Sequence, residues 1–255
     1  MKWQVRVEVE DMAAAYADMK AVRALTKAYA APNLRLPRVY EPFGKVEEIV
    51  KESLKNYKKL RDSIIDVWVK YCREKRLLWC LYLLSIPGFP KMAVLPLIAV
   101  PPQLAVDGYL RPSTYINVTL VPVKLKNGKI SASLAAKTFY TALYTSYATY
   151  GWRQLRNLME KVPSVYRMYD RNAQKYGEGA RALKNTLRDV ARLFAGHALL
   201  ITAYYEGRRL KLYPEMAKHI LQNPVNPEDL ASKYADTEIL EAIKLAKWQN
   251  AVEYP

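Results

Sequence analysis

The chain has 255 residues, 51% of them hydrophobic, so it is long and apolar enough to bury a substantial core and is not a disordered tail. Forty Lys and Arg against 24 Asp and Glu leave a formal charge of +16, an imbalance that draws polyanions, nucleic acid first and an anionic membrane surface second. Neither GxxxxGK nor GxGxxG occurs, which leaves nucleotide-driven motors and dinucleotide-dependent dehydrogenases without their fingerprint.

Trp3, Val5, Val7 and Val9 alternate with Lys2, Gln4, Arg6 and Glu8, the period of two that predicts a half-buried N-terminal strand. The same stretch has no apolar core of the kind a secretory leader needs. Asp11 is placed to cap a helix running to Pro32, with Tyr16, Met19, Leu25 and Tyr29 as its buried side. Pro32, Pro37 and Pro42 predict an extended arm over 32–44, which either wraps a partner or connects helices.

One long helix is predicted from Val46 to Leu84. Ile49, Leu54, Leu60, Ile64, Val67 and Tyr71 are expected inward, with Lys51, Lys55, Lys58, Lys59, Arg61, Lys70 and Arg73 mostly outward. Its end, LLWCLYLLSIPG, is apolar on all sides and suits a core or a subunit contact. Cys72 and Cys80 fall eight residues apart inside this helix. That placement excludes a disulfide between them and predicts a reducing compartment or unused thiols. The section from Pro87 to Pro112 is apolar but cut by Lys91, Pro96, Pro101 and Pro102, so it reads as a packed irregular segment and not as a membrane span.

A β-hairpin is predicted near 116–132, turning at Lys126-Asn127-Gly128-Lys129, because Asn-Gly suits the positive φ angles of a type I′ turn. Lys124, Lys126 and Lys129 crowd its tip. The helix that follows carries Tyr140, Tyr144, Tyr147 and Tyr150 on one stripe, either a packing surface or a base-stacking platform according to exposure.

The stretch from Tyr140 to Tyr213 carries the densest pattern in the chain. Arg167, Arg171 and Lys175 repeat every four residues among Tyr166, Tyr169 and Tyr176, until Gly177 and Gly179 break the helix. Arg181, Lys184, Arg188 and Arg192 then line one face of the next helix, opposite Leu183, Leu187, Val190 and Phe194. Two basic stripes joined by a glycine hinge form a rail suited to a phosphate backbone, because guanidinium and ammonium groups displace condensed counterions. The same spacing also describes two ordinary solvated faces. Beyond the apolar FAGHALLITAYY, Arg208 and Arg209 fall at a helix C-terminus, where they complement its dipole. Tyr213-Pro214-Glu215 and Asn226-Pro227-Glu228-Asp229 signal further helix starts, and TEILEAIKLAKWQNAVEY predicts a last amphipathic helix with Ile239, Ile243, Ala246 and Trp248 available for packing.

The charge is localised. Residues 150–215 hold 13 basic and 6 acidic side chains and residues 32–80 hold 12 and 7, whereas the part after 215 has 4 and 6. His197 and His219, the two histidines, lie 22 residues apart without nearby cysteine, a pattern of one core group and one surface group and not of metal ligands. Asp62 and Asp66 sit one helical turn apart, and Glu8, Glu10 and Asp11 cluster near the start, but these acids are interleaved with Lys and Arg as in helix surface pairs. The expectation is therefore a protein without catalysis, metal or cofactor.

The whole composition, mostly helical with two basic helices, a proline-rich arm and abundant Tyr and Ala, resembles the DNA-wrapping capsid and nucleocapsid proteins of viruses of hyperthermophilic archaea. Twenty Tyr and 9 Gly are compatible with a thermophile. The resemblance assigns no residue a role. It implies a structural nucleoprotein, many copies of which polymerise on double-stranded DNA with themselves or a related coat subunit, found in the virion or the host cytoplasm. Two other classes share the charge: a nucleic-acid-processing protein of a mobile element, and a peripheral matrix protein on an anionic membrane. The reading adopted is a mainly α chain forming one helical domain over 1–255, subdivided as a helical arm (1–84), a proline-rich segment with the hairpin (85–132) and a helical part (133–255). Its phosphate contacts are expected from Arg167, Arg171, Lys175, Arg181, Lys184, Arg188 and Arg192, supported by Lys55, Lys58, Lys59 and Arg61.

Overall fold

A computed structural model of the chain describes residues 3–35, 44–117, 122–125, 128–212, 237–245 and 251–253. The protein is mainly α. Its helices are α1 (Val9–Arg35), α2 (Gly44–Glu74), α3 (Leu78–Ser85), α4 (Val94–Ala99), α5 (Gln103–Val106), α6 (Pro112–Ile116), α7 (Ala132–Lys161), α8 (Pro163–Tyr176), α9 (Ala180–Tyr205) and α10 (Thr237–Leu245). Helix α9 is the axis of the fold. Its first half is amphipathic, whereas every residue from Leu193 to Ala203 is buried, and α3, α5, α6, α7 and α8 all pack on it. A helix apolar on every side has to be surrounded. Helices α1, α2 and α4 pack together beside this group, with α4 also touching α7.

The N-terminal strand is replaced by an extended segment with a single parallel bridge, Gln4 to Leu77. The predicted alternation holds for Val5 and Val7, which are buried between exposed Gln4, Arg6 and Glu8, whereas Trp3 is half-buried and Val9, the first residue of α1, is exposed. No ladder forms because side chains take the place of a partner strand. Trp79 Nε1 donates to the Val5 carbonyl at 3.0 Å, and Gln103 accepts from Val7 N at 2.6 Å while donating to Val7 O at 2.8 Å. Pro32 does not end α1, which continues to Arg35. With only three helical residues beyond it, the missing proline N–H removes little of the helix.

The long helix expected over 46–84 is two helices. The chain breaks at 75–77, where Arg76 takes a positive φ of 50° and its segment turns to pair with Gln4. Arg76 is held there by the Trp3 ring, 4.2 Å from the guanidinium carbon to the centroid, and by Glu238 at 2.6 Å. The break corrects the cysteine reading. In one continuous helix an eight-residue spacing would part the Cα atoms by about 12 Å, but with Cys72 in α2 and Cys80 in α3 they lie 6.2 Å apart and form a disulfide, fully buried.

The proline-rich segment is a buried string of short helices. A 3-10 turn at Lys91–Ala93 leads into α4, and the chain is buried almost continuously from Ala93 to Ala105. Strands β1 (Pro122–Leu125) and β2 (Gly128–Ser131) pair antiparallel with Lys124 opposite Lys129 and Leu125 opposite Gly128. Gly128 therefore belongs to the second strand and not to the centre of the turn; residues 126 and 127 lie outside the described residues. Two short strands, β3 (Leu210–Lys211) and β4 (Val252–Glu253), pair in parallel. The helix starts expected at Tyr213 and Asn226 lie outside the described residues, as do Ala246 and Trp248. Helix α10 covers the beginning of the last predicted helix, with Ile239 and Ile243 buried.

Candidate nucleic-acid interface

The two predicted basic stripes fall on α8 and α9, which pack on each other as a helical hairpin. Pro163 opens α8 at its first position, where a missing N–H costs no hydrogen bond. The helix buries Ser164, Val165, Met168 and Asn172, leaving Arg167, Arg171 and Lys175 exposed along one flank. Gly177 (φ 77°) and Gly179 (φ 121°, ψ −156°) reverse the chain, the second in a region that only glycine occupies readily. A polar seam fixes the register between the helices. Asn172 Nδ2 donates to Asp189 at 2.9 Å and to Thr186 Oγ1 at 3.3 Å.

On α9, Arg181, Lys184 and Arg188 are exposed and Arg192 is half-buried, opposite the buried Leu183, Leu187, Val190 and Phe194. The stripes meet at the hinge: Lys175 Nζ lies 5.3 Å and the Arg181 guanidinium carbon 5.0 Å from the centre of the Tyr176 ring, so one aromatic ring gathers a cation from each helix. Not all of these charges are free. Arg192 pairs with Asp189 at 3.1 Å, and Arg188 donates to Asn185 Oδ1 at 3.2 Å. Among the described residues no ion pair engages Arg167, Arg171, Lys175, Arg181 or Lys184.

The supporting group lies on another helix, α2. Lys55, Lys58 and Lys59 are exposed on α2, whose main neighbours are α1 and α4. Arg61 differs from them. It is half-buried and donates to its neighbour Asp62 through Nε (2.9 Å) and Nη2 (2.7 Å), so a carboxylate already holds its charge. Arg61 and Asp62 line a cleft of about 440 Å³ with Asp66, Lys91, Thr145 and Ser146, where Asp66 in turn pairs with Lys91 at 2.9 Å. Both carboxylates that a two-metal reading would require are thus held by cations. Among the described residues no three His, Cys, Asp or Glu side chains converge. His197 is buried and shares a 2.9 Å hydrogen bond with the Tyr82 hydroxyl, burial pushing its pKa down to about 3; His219 lies outside the described residues. Burial raises the Tyr71 pKa, and so does the hydrogen bond its hydroxyl donates to Asp11 at 2.8 Å.

The tyrosine stripe of α7 does not stay on one face. Tyr147 is fully buried, donating to the Pro87 carbonyl at 3.0 Å, and its ring lies 3.3 Å from where a Cβ on Gly88 would sit. Tyr140 is half-buried. Burial raises its pKa while the Arg188 guanidinium of the α9 stripe pulls the other way. After Ala148 the helix breaks: Thr149 is extended, and Tyr150, Gly151 and Trp152 are all left-handed, with φ of 55°, 68° and 67°. Such a conformation costs about 1–2 kcal/mol for each residue with a side chain. The turn swings Tyr150 off the stripe into solvent and presents Arg153 and Arg156, both exposed, on the second part of α7. Arg153 and Arg156 escaped the sequence reading, though Tyr150-Gly151-Trp152 in mid-helix is the signal that a new helical phase starts there. No helix among the described residues is long and apolar enough to cross a membrane.

No family model matches the chain, and no curated protein and no solved structure matches it.

Proposed function

We propose that the chain is a structural nucleic-acid-binding protein that coats or packages double-stranded DNA without sequence specificity, many copies assembling on one duplex as a capsid or nucleocapsid subunit. The observation that carries this reading is the α8–α9 hairpin, on which five solvent-facing cations, Arg167, Arg171, Lys175, Arg181 and Lys184, are left without acidic partners among the described residues. Unpaired cations on a rigid hairpin bind phosphates without first breaking an internal ion pair, and phosphate contacts carry no sequence information. Lys55, Lys58 and Lys59 extend the same chemistry to another helix, α2, whereas Arg61 and Arg192 contribute less because Asp62 and Asp189 hold them. The test is fluorescence anisotropy on an arbitrary duplex from low to moderate salt, with light scattering on the same samples. A steep loss of affinity with salt, little sequence preference and growth of large assemblies support the reading. Absence of binding at low salt sinks it.

A further inference from the structure

The left-handed turn of α7 presents an aromatic ring that the fold does not use. Of the three residues in it, Gly151 carries no side chain and Trp152 is half-buried, its ring set edge-on to Tyr144 at 5.5 Å, with Tyr144 in turn 6.3 Å from Tyr140. This aromatic row anchors the turn and leads to Arg188. Tyr150 gains nothing comparable: it is 90% exposed, more than any other large hydrophobic side chain described. A strained backbone that holds a flat apolar ring away from the protein offers that ring to something else.

The surroundings identify the partner. Arg153 and Arg156 follow at once and are exposed, and Gln154 between them is exposed and polar. Insertion into a bilayer surface needs several apolar side chains on one face, and here Tyr150 alone is largely exposed, with Tyr144 40% exposed and Trp152 half-buried. One exposed ring followed within two helical turns by two exposed guanidinium groups suits one base step beside charged phosphates, as apolar wedges do when they open a step and kink a duplex. Resting on the duplex-coating reading above, we infer that Tyr150 inserts part-way at a base step of the bound DNA while Arg153 and Arg156 take the flanking phosphates. Each bound copy then unstacks one step, so the coat deforms the duplex locally and does not merely neutralise it.

Permanganate oxidation of thymines tests this, because it reports unstacked bases on a short linear duplex that the chain cannot wrap. The full-length chain on an arbitrary duplex at low salt is expected to raise thymine reactivity severalfold at scattered steps, and Tyr150→Phe to do the same. Tyr150→Gly is expected to abolish the reactivity and weaken binding roughly tenfold, within the range for losing one aromatic–base stack. Its salt slope stays unchanged because no charge is removed. Glycine suits the left-handed position, so this variant melts no lower than the parent, which separates lost insertion from lost folding. Tight, salt-dependent binding with no enhanced thymine reactivity, or enhancement that survives Tyr150→Gly, overturns the wedge and leaves the coating function standing. No binding by the parent chain at low salt removes both.

Discussion

His197 lies in the all-buried half of α9, and the Tyr82 hydroxyl beside it is also fully buried, so neither can ionise cheaply. Burial lowers the His197 pKa from 6.5 to about 3. The unfolded chain takes up a proton near pH 6.5 that the folded chain refuses until about pH 3. Stability from this residue is therefore complete above 6.5 and is lost as the pH falls toward 3, at roughly 1.4 kcal/mol per unit. Between pH 6.5 and 5 most carboxylates are still ionised, so the histidine dominates that window. Urea denaturation at these two pH values should show the parent losing stability on acidification and His197→Gln losing distinctly less. An identical drop in both would mean that folded His197 takes its proton freely.

The α8–α9 hairpin joins the two basic stripes through one turn, and substitutions on α9 and in the turn test different parts of it. If Arg181 and Lys184 each neutralise a phosphate, Lys184→Ala should reduce the slope of log affinity against log salt by about 0.9, and the double substitution by about twice that. Arg192→Ala should change the slope less, since Asp189 already holds Arg192. Gly179 controls how the stripes meet. A Cβ there finds open space but not an allowed backbone, so Gly179→Ala should cost about 1–3 kcal/mol in thermal or chemical denaturation. A variant of unchanged stability would show that the turn relaxes to another conformation.

Across the whole molecule, what was legible in the sequence follows from where its physical cause lies. The α8–α9 hairpin could be read because its causes are local: charge on one helical face, apolar residues on the other, glycines between. The break between α2 and α3 could not, because Lys75-Arg76-Leu77 contains neither Gly nor Pro. The bend there is fixed by distant partners, Gln4, Trp3 and Glu238. The cysteine pair was misread for the same reason, since the spacing forbids a bridge only while the helix is continuous. The N-terminal alternation gave the right burial for Val5 and Val7, missed at Val9, where α1 begins, and gave the wrong hydrogen bonds, because Gln103 and Trp79, 96 and 74 residues away, stand in for a strand. Nor does periodicity show that Asp62 claims Arg61. The disulfide closes a short loop, and in the chain-entropy account it contributes about 2.5 kcal/mol. Denaturation with and without a strong reductant should differ by that order; equal midpoints would show that the crosslink adds nothing to this fold.

Both sulfurs of that crosslink are sealed from solvent, which makes the pair a built-in reporter of opening. A reductant mixed with an alkylating reagent cannot reach them in the closed chain, so labelled mass accumulates only as fast as the α2–α3 junction exposes itself. The same count, taken with and without added duplex, tests whether a polyanion holds the protein shut, without any added probe.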